Sequence, residues 1–214
     1  MRTHPHLFLA LLVPLLWSSA GGAPEDEWQA AARRIHRIRP GSIKGLPKEI
    51  LAELEKRGCT IPQPGPVAAV QKSSDKSGAT EAIDVPLEKV QNIIKGQFAK
   101  KGQVDWVALC SKDLASSMLV LWGGPARCPS EMDEKGADAN ALARDENGPY
   151  YYDHAIGTIG PKAIQEYQTM DEGDPAPAPT VPPYDHDGIE DGSEKASVIF
   201  YCQSGTWLRL MGGD

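Results

Sequence analysis

The apolar and polar positions along the chain change character twice. An apolar run, Leu7 to Trp17, contains no charged residue and is followed by the small residues Ser18, Ser19 and Ala20. A basic start at Arg2, an apolar centre and a small-residue end are typical of a secretory signal. The run is about eleven residues, too short to span a bilayer core of roughly 30 Å as a helix. The sequence therefore predicts a signal peptide over residues 1–20 and a periplasmic or secreted protein.

Helical spacing of apolar residues dominates the next segment. It predicts one amphipathic helix over Glu25–Ile38, which Pro40 ends, and a second over Pro47–Arg57, which Gly58 ends. Acidic residues open the first helix and basic residues close it, as the helix dipole favours. We expect both helices to pack on whatever sheet the rest of the chain forms.

Beyond residue 90 the apolar runs become short and are separated by turn residues, which is typical of strands. The runs are 93–98, 104–110, 117–122, 150–159, 195–202 and 206–211. A turn at Gln203-Ser204-Gly205 predicts that the last two runs form a hairpin. We expect the first three to form an antiparallel meander with 104–110 at its centre, because that run is apolar on both faces. Residues 161–170 are compatible with either a helix or a strand.

These elements predict an α+β fold, with two N-terminal helices packed on an antiparallel β-sheet and tied by disulfides. The predicted organisation is a signal peptide (1–20), an N-terminal helical segment (21–60), a Pro/Ser-rich linker (61–84) and an antiparallel β-rich body (85–214). The helical segment and the body are expected to form one domain, because the chain is long enough for one core.

The four cysteines, Cys59, Cys110, Cys128 and Cys202, are expected to form two disulfides. Their number is even and an exported protein meets an oxidising compartment. They contain no C-x-x-C pair, which disfavours a zinc or redox site. Four cysteines allow three connectivities and the sequence does not choose among them. We favour Cys59 with Cys110 and Cys128 with Cys202.

The net charge of −7 disfavours nucleic acid and anionic membranes as partners. No cofactor is indicated, and no apolar run beyond the signal predicts stable membrane insertion. The partner is expected to be an envelope or extracellular protein or a small ligand.

An acidic run, Asp185 to Asp191, is the densest polar cluster of the chain. Its candidate metal ligands are Asp185, Asp187 and Asp191, and calcium prefers six to eight such oxygens. The run departs from the EF-hand pattern at Gly188. We therefore expect no metal there, and a turn-rich loop whose aspartates accept hydrogen bonds from backbone amides.

Two histidines are candidates for acid–base catalysis. His186 lies between Asp185 and Asp187, and His154 follows Asp153. A neighbouring carboxylate would suit general acid–base work, but adjacent residues of a strand point to opposite faces. The sequence contains no G-x-S-x-G, H-E-x-x-H or P-loop motif. A non-catalytic binding or interaction module is the favoured function, and a small secreted hydrolase using a His/Asp site is the alternative.

The aromatic residues favour packing over recognition. Trp106, Trp122 and Trp207 lie in strand runs and are expected in the core or on a sheet face. In the run Tyr150–Tyr152, alternation places Tyr151 on the opposite face from its neighbours, where its ring could contact a ligand.

Three segments resemble a family of exported bacterial proteins of unknown function. They are R-G-C-x-I-P-Q from Arg57, G-Q-x-D-W-x-x-L-C-S from Gly102 and D-H-D-G-I-E-D from Asp185. The resemblance extends over most of the chain after the signal. It implies export, and it implies no activity or site residue.

Overall fold

The computed structural model describes residues 26–67, 85–132, 135–144, 146, 148–170, 184–193 and 196–212. The predicted signal peptide lies outside these residues. The described α-helices are α1 (Glu27–Ala32), α2 (Lys48–Arg57) and α3 (Pro161–Met170). The described strands are β1 (Arg37–Ile38), β2 (Ile43–Lys44), β3 (Ile61–Pro62), β4 (Gly65–Pro66), β5 (Val85–Pro86), β6 (Ile93–Gly96), β7 (Asp105–Lys112), β8 (Ala115–Leu121), β9 (Gly136–Ala137), β10 (Leu142–Arg144), β11 (Tyr150–Tyr152), β12 (Ala155–Ile159), β13 (Gly188–Gly192), β14 (Ser197–Gln203) and β15 (Thr206–Met211).

Two four-stranded antiparallel sheets form the body, in an α+β fold as predicted. The first has the order β6-β7-β8-β9 and the second β12-β13-β14-β15. Smaller sheets pair β1 with β3, β2 with β5, and β10 with β11 and β4. None of the described helices is both long and apolar enough to cross a membrane.

The predicted meander is confirmed, with β7 between β6 and β8. Alternate residues of β7 enter two different core clusters. Val107 and Leu109 face the larger cluster with Phe200 of the second sheet, whereas Ala108 faces the cluster around Leu54 of α2. Burial on both faces explains why the run lacks the polar alternation of a half-exposed strand.

Tight two-residue turns join the strands of two hairpins. Asp113 and Leu114 connect β7 to β8, and Ser204 and Gly205 connect β14 to β15, all with positive φ. Such turns match the right-handed twist of the paired strands. The predicted hairpin of 195–202 and 206–211 is present, and β14 begins at Ser197.

The first predicted helix is wrong beyond Ala32, where α1 ends. The chain then turns and enters β1, which pairs with β3. Arg37 explains the change: its guanidinium donates to the carbonyl oxygens of Ala32 and Ile35 and to the buried carboxylate of Asp138. A continued helix would leave that carboxylate without its cation.

The helix α2 ends at Arg57, where the following glycine, Gly58, predicts the end of the helix. Gly58 has φ 71° and its N–H caps the carbonyls of Leu54 and Glu55. This left-handed conformation favours glycine, which lacks a Cβ.

Residues 61–67 of the predicted linker contain the short paired strands β3 and β4, whereas residues 68–84 lie outside the described chain. Ile61 is fully buried in β3, and Gln63 is buried beside it. The Gln63 side chain exchanges two hydrogen bonds of 2.9 Å with the backbone of Gln91. Proline-rich sequence suits short extended edge pairings as well as linkers, so composition alone did not distinguish them.

Both favoured disulfide pairings are confirmed. Cys59 is bonded to Cys110 and Cys128 to Cys202, with Cα–Cα distances of 5.0 and 5.9 Å. The first joins the end of α2 to β7. The second joins the chain after β8 to β14 of the other sheet.

The predicted single strand 150–159 is wrong, because the chain changes sheets at Asp153 and His154. The strand β11 pairs with β10 and β4, and β12 pairs with β13. The ambiguous segment 161–170 is the helix α3. Trp106, Trp122 and Trp207 are all half-buried and pack against the core.

Candidate functional site

His154 and Asp191 form a hydrogen-bonded pair where the two sheets approach each other. Nε2 of His154 contacts Oδ1 of Asp191, and the side chains are 27% and 17% exposed. His154 lies just before β12, and Ile156 of β12 is opposite Asp191 of β13. The two residues are therefore diagonal neighbours on one face, within reach of each other.

This pairing differs from the one that sequence proximity suggested. The neighbour Asp153 was a candidate partner of His154, but the observed carboxylate, Asp191, lies 37 residues later. The reason is strand geometry: successive side chains diverge, while cross-strand neighbours converge. Asp191 appeared in the sequence only as a candidate metal ligand.

Asn92 fixes the backbone that carries His154. Its Nδ2 donates to the carbonyl oxygens of Pro62 (2.8 Å) and His154 (3.0 Å), and its Oδ1 accepts from the N–H of Ile156 (2.9 Å). The residue is 1% exposed and has φ 63°. Sequence reasoning missed Asn92, although asparagine is one of the few residues that tolerate this backbone conformation.

A cleft of about 460 Å³ opens beside the pair. Its walls come from β8 and β9 of the first sheet and from the end of β13 in the second. His154, Asp191 and Asp153 line it together with small residues such as Ala137 and Ala141. A concave site with a few convergent polar groups is the usual form of a small-molecule site.

The floor of the cleft is a buried ionic network centred on Asp138. This carboxylate is 1% exposed and accepts hydrogen bonds from Arg37, Ser111 and Ser116. A buried charge is tolerated when it is paired and its lone pairs are satisfied, as here. The Ser116 hydroxyl is therefore committed to Asp138.

The Tyr152 hydroxyl lies next to this network. Its oxygen is buried. Burial raises the pKa of Tyr152, the hydrogen-bonding side chain of Ser116 lowers it, and the nearby negative charge of Asp138 raises it. The Ser116 hydroxyl itself donates to Asp138, so Tyr152 lies at the edge of the same buried network.

His186, the other catalytic candidate, is buried and does not line the cleft. It is 7% exposed, its Nε2 donates to the Cys202 carbonyl (3.0 Å), and its ring stacks on Tyr201 at 4.2 Å. Its Nδ1 contacts Asp185 (2.7 Å) and the Tyr201 hydroxyl (2.8 Å). Both ring nitrogens of His186 are hydrogen-bonded, and one of these bonds holds it to β14 at Cys202, a residue of the second disulfide.

The predicted acidic loop is wrong from Gly188 onward, because Gly188–Gly192 is the strand β13 between β12 and β14. Ile189 is buried in the core. Glu190 accepts a hydrogen bond from Ser197, and Asp191 contacts His154. As predicted for a loop aspartate, Asp187 accepts from a backbone amide, the N–H of Gln97 at 2.8 Å. Asp187 is therefore not a hydrogen-bond partner of His186, although the two residues are adjacent in the sequence.

The candidate metal ligands do not converge. Asp185 contacts His186, Asp187 contacts the Gln97 backbone and Asp191 contacts His154. In the part of the chain that is described, no three His, Cys, Asp or Glu side chains are grouped as metal ligands.

Acid should weaken the protein through Asp185, whose pKa is lowered chiefly by the hydrogen bond from His186. A lowered carboxyl pKa gives stability that is present above the ordinary pKa near 3.9 and is lost as the pH falls through the folded-state value. The side chain is 66% exposed, so solvent screening limits the effect to less than about 1 kcal/mol.

Urea unfolding of the parent and Asp185→Asn at pH 6 and pH 2.5 measures this contribution. The variant should lose less stability on acidification than the parent. Asp113→Asn, in the β7–β8 turn, serves as the control, because asparagine tolerates the φ of 53° there. Equal acid losses in Asp185→Asn and the parent would refute the contribution.

No protein-family model, curated protein or solved structure matches this chain. The functional argument therefore uses the geometry of the cleft, its His154–Asp191 pair and the buried network below it.

Proposed function

We propose that the protein is an exported, non-catalytic binding module whose ligand occupies the cleft beside His154 and Asp191. The observation that carries the proposal is the cleft of about 460 Å³, in which polar side chains from both sheets meet over small apolar residues. In this proposal the N-terminal helices pack on the sheets and, with the two disulfides, keep the cleft preformed.

Export is supported by sequence and covalent structure together. The pattern over residues 1–20 is that of a secretory signal, and two disulfides suit an oxidising compartment. Membership of the family of exported bacterial proteins that the sequence resembles is part of the same proposal.

A binding role is favoured over catalysis because the polar side chains that could act as nucleophile or base already have hydrogen-bond partners. The Ser116 hydroxyl donates a hydrogen bond to Asp138, and His186 is held by three contacts away from the cleft. A nucleophilic mechanism would need a hydroxyl or thiol hydrogen-bonded to a base. All four cysteines are in disulfides.

A ligand-observed NMR screen of small fragments tests the binding role. Tryptophan at Ala196, an exposed residue at the cleft, should narrow the site and reduce fragment binding. Thr206→Trp, at an exposed edge-strand position outside the lining, is the matched control. Fragments that bind the parent and Thr206→Trp but not Ala196→Trp support the proposal. Equal binding to all three proteins, or none to the parent, would refute it.

The specific observation that favours a second function, a hydrolase, is the His154–Asp191 pair at the cleft. Such a pair can orient and activate a general base. Hydrolysis of activated esters and of peptides distinguishes the two functions. The binding module should show no turnover that His154→Gln removes, whereas a loss of a hundredfold or more in that variant would establish the hydrolase.

A further inference from the structure

The strand β15 is an open edge of the second sheet. The opposite edge of that sheet, β12, lies against the first sheet, where the Thr158 hydroxyl donates to the carbonyl of Lys95 in β6 (3.3 Å). In the part of the chain that the structure describes, β15 pairs with β14 and with no other strand. The two edges of the sheet therefore differ, and β15 is the one that could accept a further strand.

Three residues of β15 direct their peptide groups away from β14. The N–H of Gly212, which follows β15, donates to the carbonyl of the first residue of β14 at 3.1 Å, and hydrogen-bonded and non-hydrogen-bonded residues alternate along an antiparallel pair. The N–H and C=O groups of Trp207, Arg209 and Met211 therefore point outward. The Met211 carbonyl accepts from the Gln168 side chain of α3 (3.1 Å), and the other outward groups have no hydrogen-bond partner among the described residues. Such a row of free groups is a template for one more strand.

This edge lacks the features that usually discourage strand pairing. Thr206–Met211 contains no proline or lysine, and its register with β14 is continuous, without a bulge. The strand is also fixed in place, because the Trp207 Nε1 donates to the Pro129 carbonyl (2.9 Å) and the Trp207 ring stacks on Trp122 at 5.8 Å. The edge is therefore preformed, which lowers the entropic cost of binding.

Arg209 gives the open edge a positive charge. Its side chain is exposed and its guanidinium lies 5.5 Å from the centre of the Phe200 ring. Within the described residues it has no carboxylate partner, although the chain as a whole has a net charge of −7. Trp207 and Met211 lie two residues to either side on the same face of the strand, and Met211 is 63% exposed. The edge thus presents one cation between two large apolar side chains.

The charge of Arg209 disfavours a second copy of this chain as the occupant. An antiparallel pair of two β15 strands that overlaps all three outward residues would place Arg209 opposite its own copy. Like charges directly opposite each other destabilise a strand pair, whereas opposite charges stabilise it. An acidic side chain is therefore the complement of Arg209.

We infer that β15 binds an extended acidic segment of another protein, which adds to the second sheet as an antiparallel strand. An acidic residue of the segment lies opposite Arg209, and the apolar residues two positions before and after it lie opposite Trp207 and Met211. None of these three residues lines the cleft, so this surface is separate from the proposed ligand site and does not depend on it.

Amide chemical shifts of the isotope-labelled, oxidised full chain, titrated with the capped peptide S-V-T-E-T-V-S, test the inference. The peptide should bind saturably, with a Kd of about 1 mM or lower, and shift the amides of Trp207, Arg209 and Met211 most. It should bind about fivefold or more tightly than S-V-T-K-T-V-S, whose central residue repels Arg209. N-methylation of the central glutamate amide, which faces β15, should abolish binding. N-methylation of the threonine after it, whose amide faces away, should not.

Protein variants test the two contributions separately. Arg209→Glu should reverse the preference, so that the lysine peptide binds more tightly than the glutamate peptide. Arg39→Glu changes an exposed arginine outside the second sheet and, as the matched charge control, should keep the preference of the parent. Met211→Pro removes an outward donor but no hydrogen bond to β14. It should unfold at the same urea concentration as the parent and weaken peptide binding severalfold.

Four outcomes would overturn the inference. They are no saturable binding of the glutamate peptide, equal binding of the two peptides to the parent, a preference for glutamate that survives in Arg209→Glu, and a dimer in sedimentation analysis that Met211→Pro dissociates. The last outcome would make the edge an interface between copies of this chain. The fragment screen decides the cleft proposal independently of all four.

Discussion

Removal of both disulfides should prevent stable folding at 37 °C. The loops that they close span separations of 51 and 74 residues, and the chain-entropy relation assigns about 4 kcal/mol to each loop of that size. Their sum is comparable to the 5–15 kcal/mol that holds a typical domain together. The first bond also anchors the end of α2 to β7, and the second anchors the segment after β8 to β14.

Urea unfolding of Cys59→Ala/Cys110→Ala, Cys128→Ala/Cys202→Ala and the fourfold variant measures these contributions. Each double variant should lose about 2–5 kcal/mol, and the fourfold variant should have the circular dichroism of an unfolded chain. A fourfold variant that unfolds cooperatively within about 1 kcal/mol of the parent would show that the cores alone stabilise the fold.

Replacement of Asn92 by glycine should lower the free energy of unfolding by about 3–5 kcal/mol, because three backbone groups lose their hydrogen bonds with its buried amide. These groups are the carbonyls of Pro62 and His154 and the N–H of Ile156. Glycine accepts the φ of 63° without strain, so the loss reports the side-chain hydrogen bonds and not the backbone conformation.

Asn92→Asp provides the matched comparison. It keeps an oxygen that can accept from Ile156 but removes both donors and adds a buried charge, so it should be at least as destabilising as glycine. Thermal and urea unfolding of the two variants would show this order. A glycine variant within about 0.5 kcal/mol of the parent, the range of ordinary surface substitutions, would mean that water replaces the amide and that Asn92 does not fix the His154 segment.

Local signals in the sequence were sufficient for much of the fold. The uninterrupted apolar run of β7 indicated a strand buried on both faces, Gly58 indicated the end of α2, and Ser204-Gly205 indicated the last hairpin. In each case the physical cause lies within a few residues of the feature. Such causes are visible in a single sequence.

Features that depend on contacts between distant residues could not be predicted from local sequence. The end of α1 depends on the contact of Arg37 with Asp138, 101 residues away. The break between β11 and β12 depends on which sheet each half joins. Neither contact leaves a local pattern that separates it from a longer helix or strand.

The candidate site shows the same division. His154 and Asp191 were both recognisable as chemically capable residues, but for different kinds of site. The pairing of β12 with β13 brings them together, and strand register is a property of the assembled sheet. The Tyr152 hydroxyl could be identified only after its burial was known.

Amide chemical shifts of the isotope-labelled, oxidised protein, recorded during titration with the fragment that binds the parent most tightly, test the ligand site most directly. The account predicts saturable shifts concentrated at His154, Asp191, Gly192 and Ala196, which line the cleft, and their loss in Ala196→Trp. Shifts that do not saturate, or that are largest at residues outside the cleft, would contradict it.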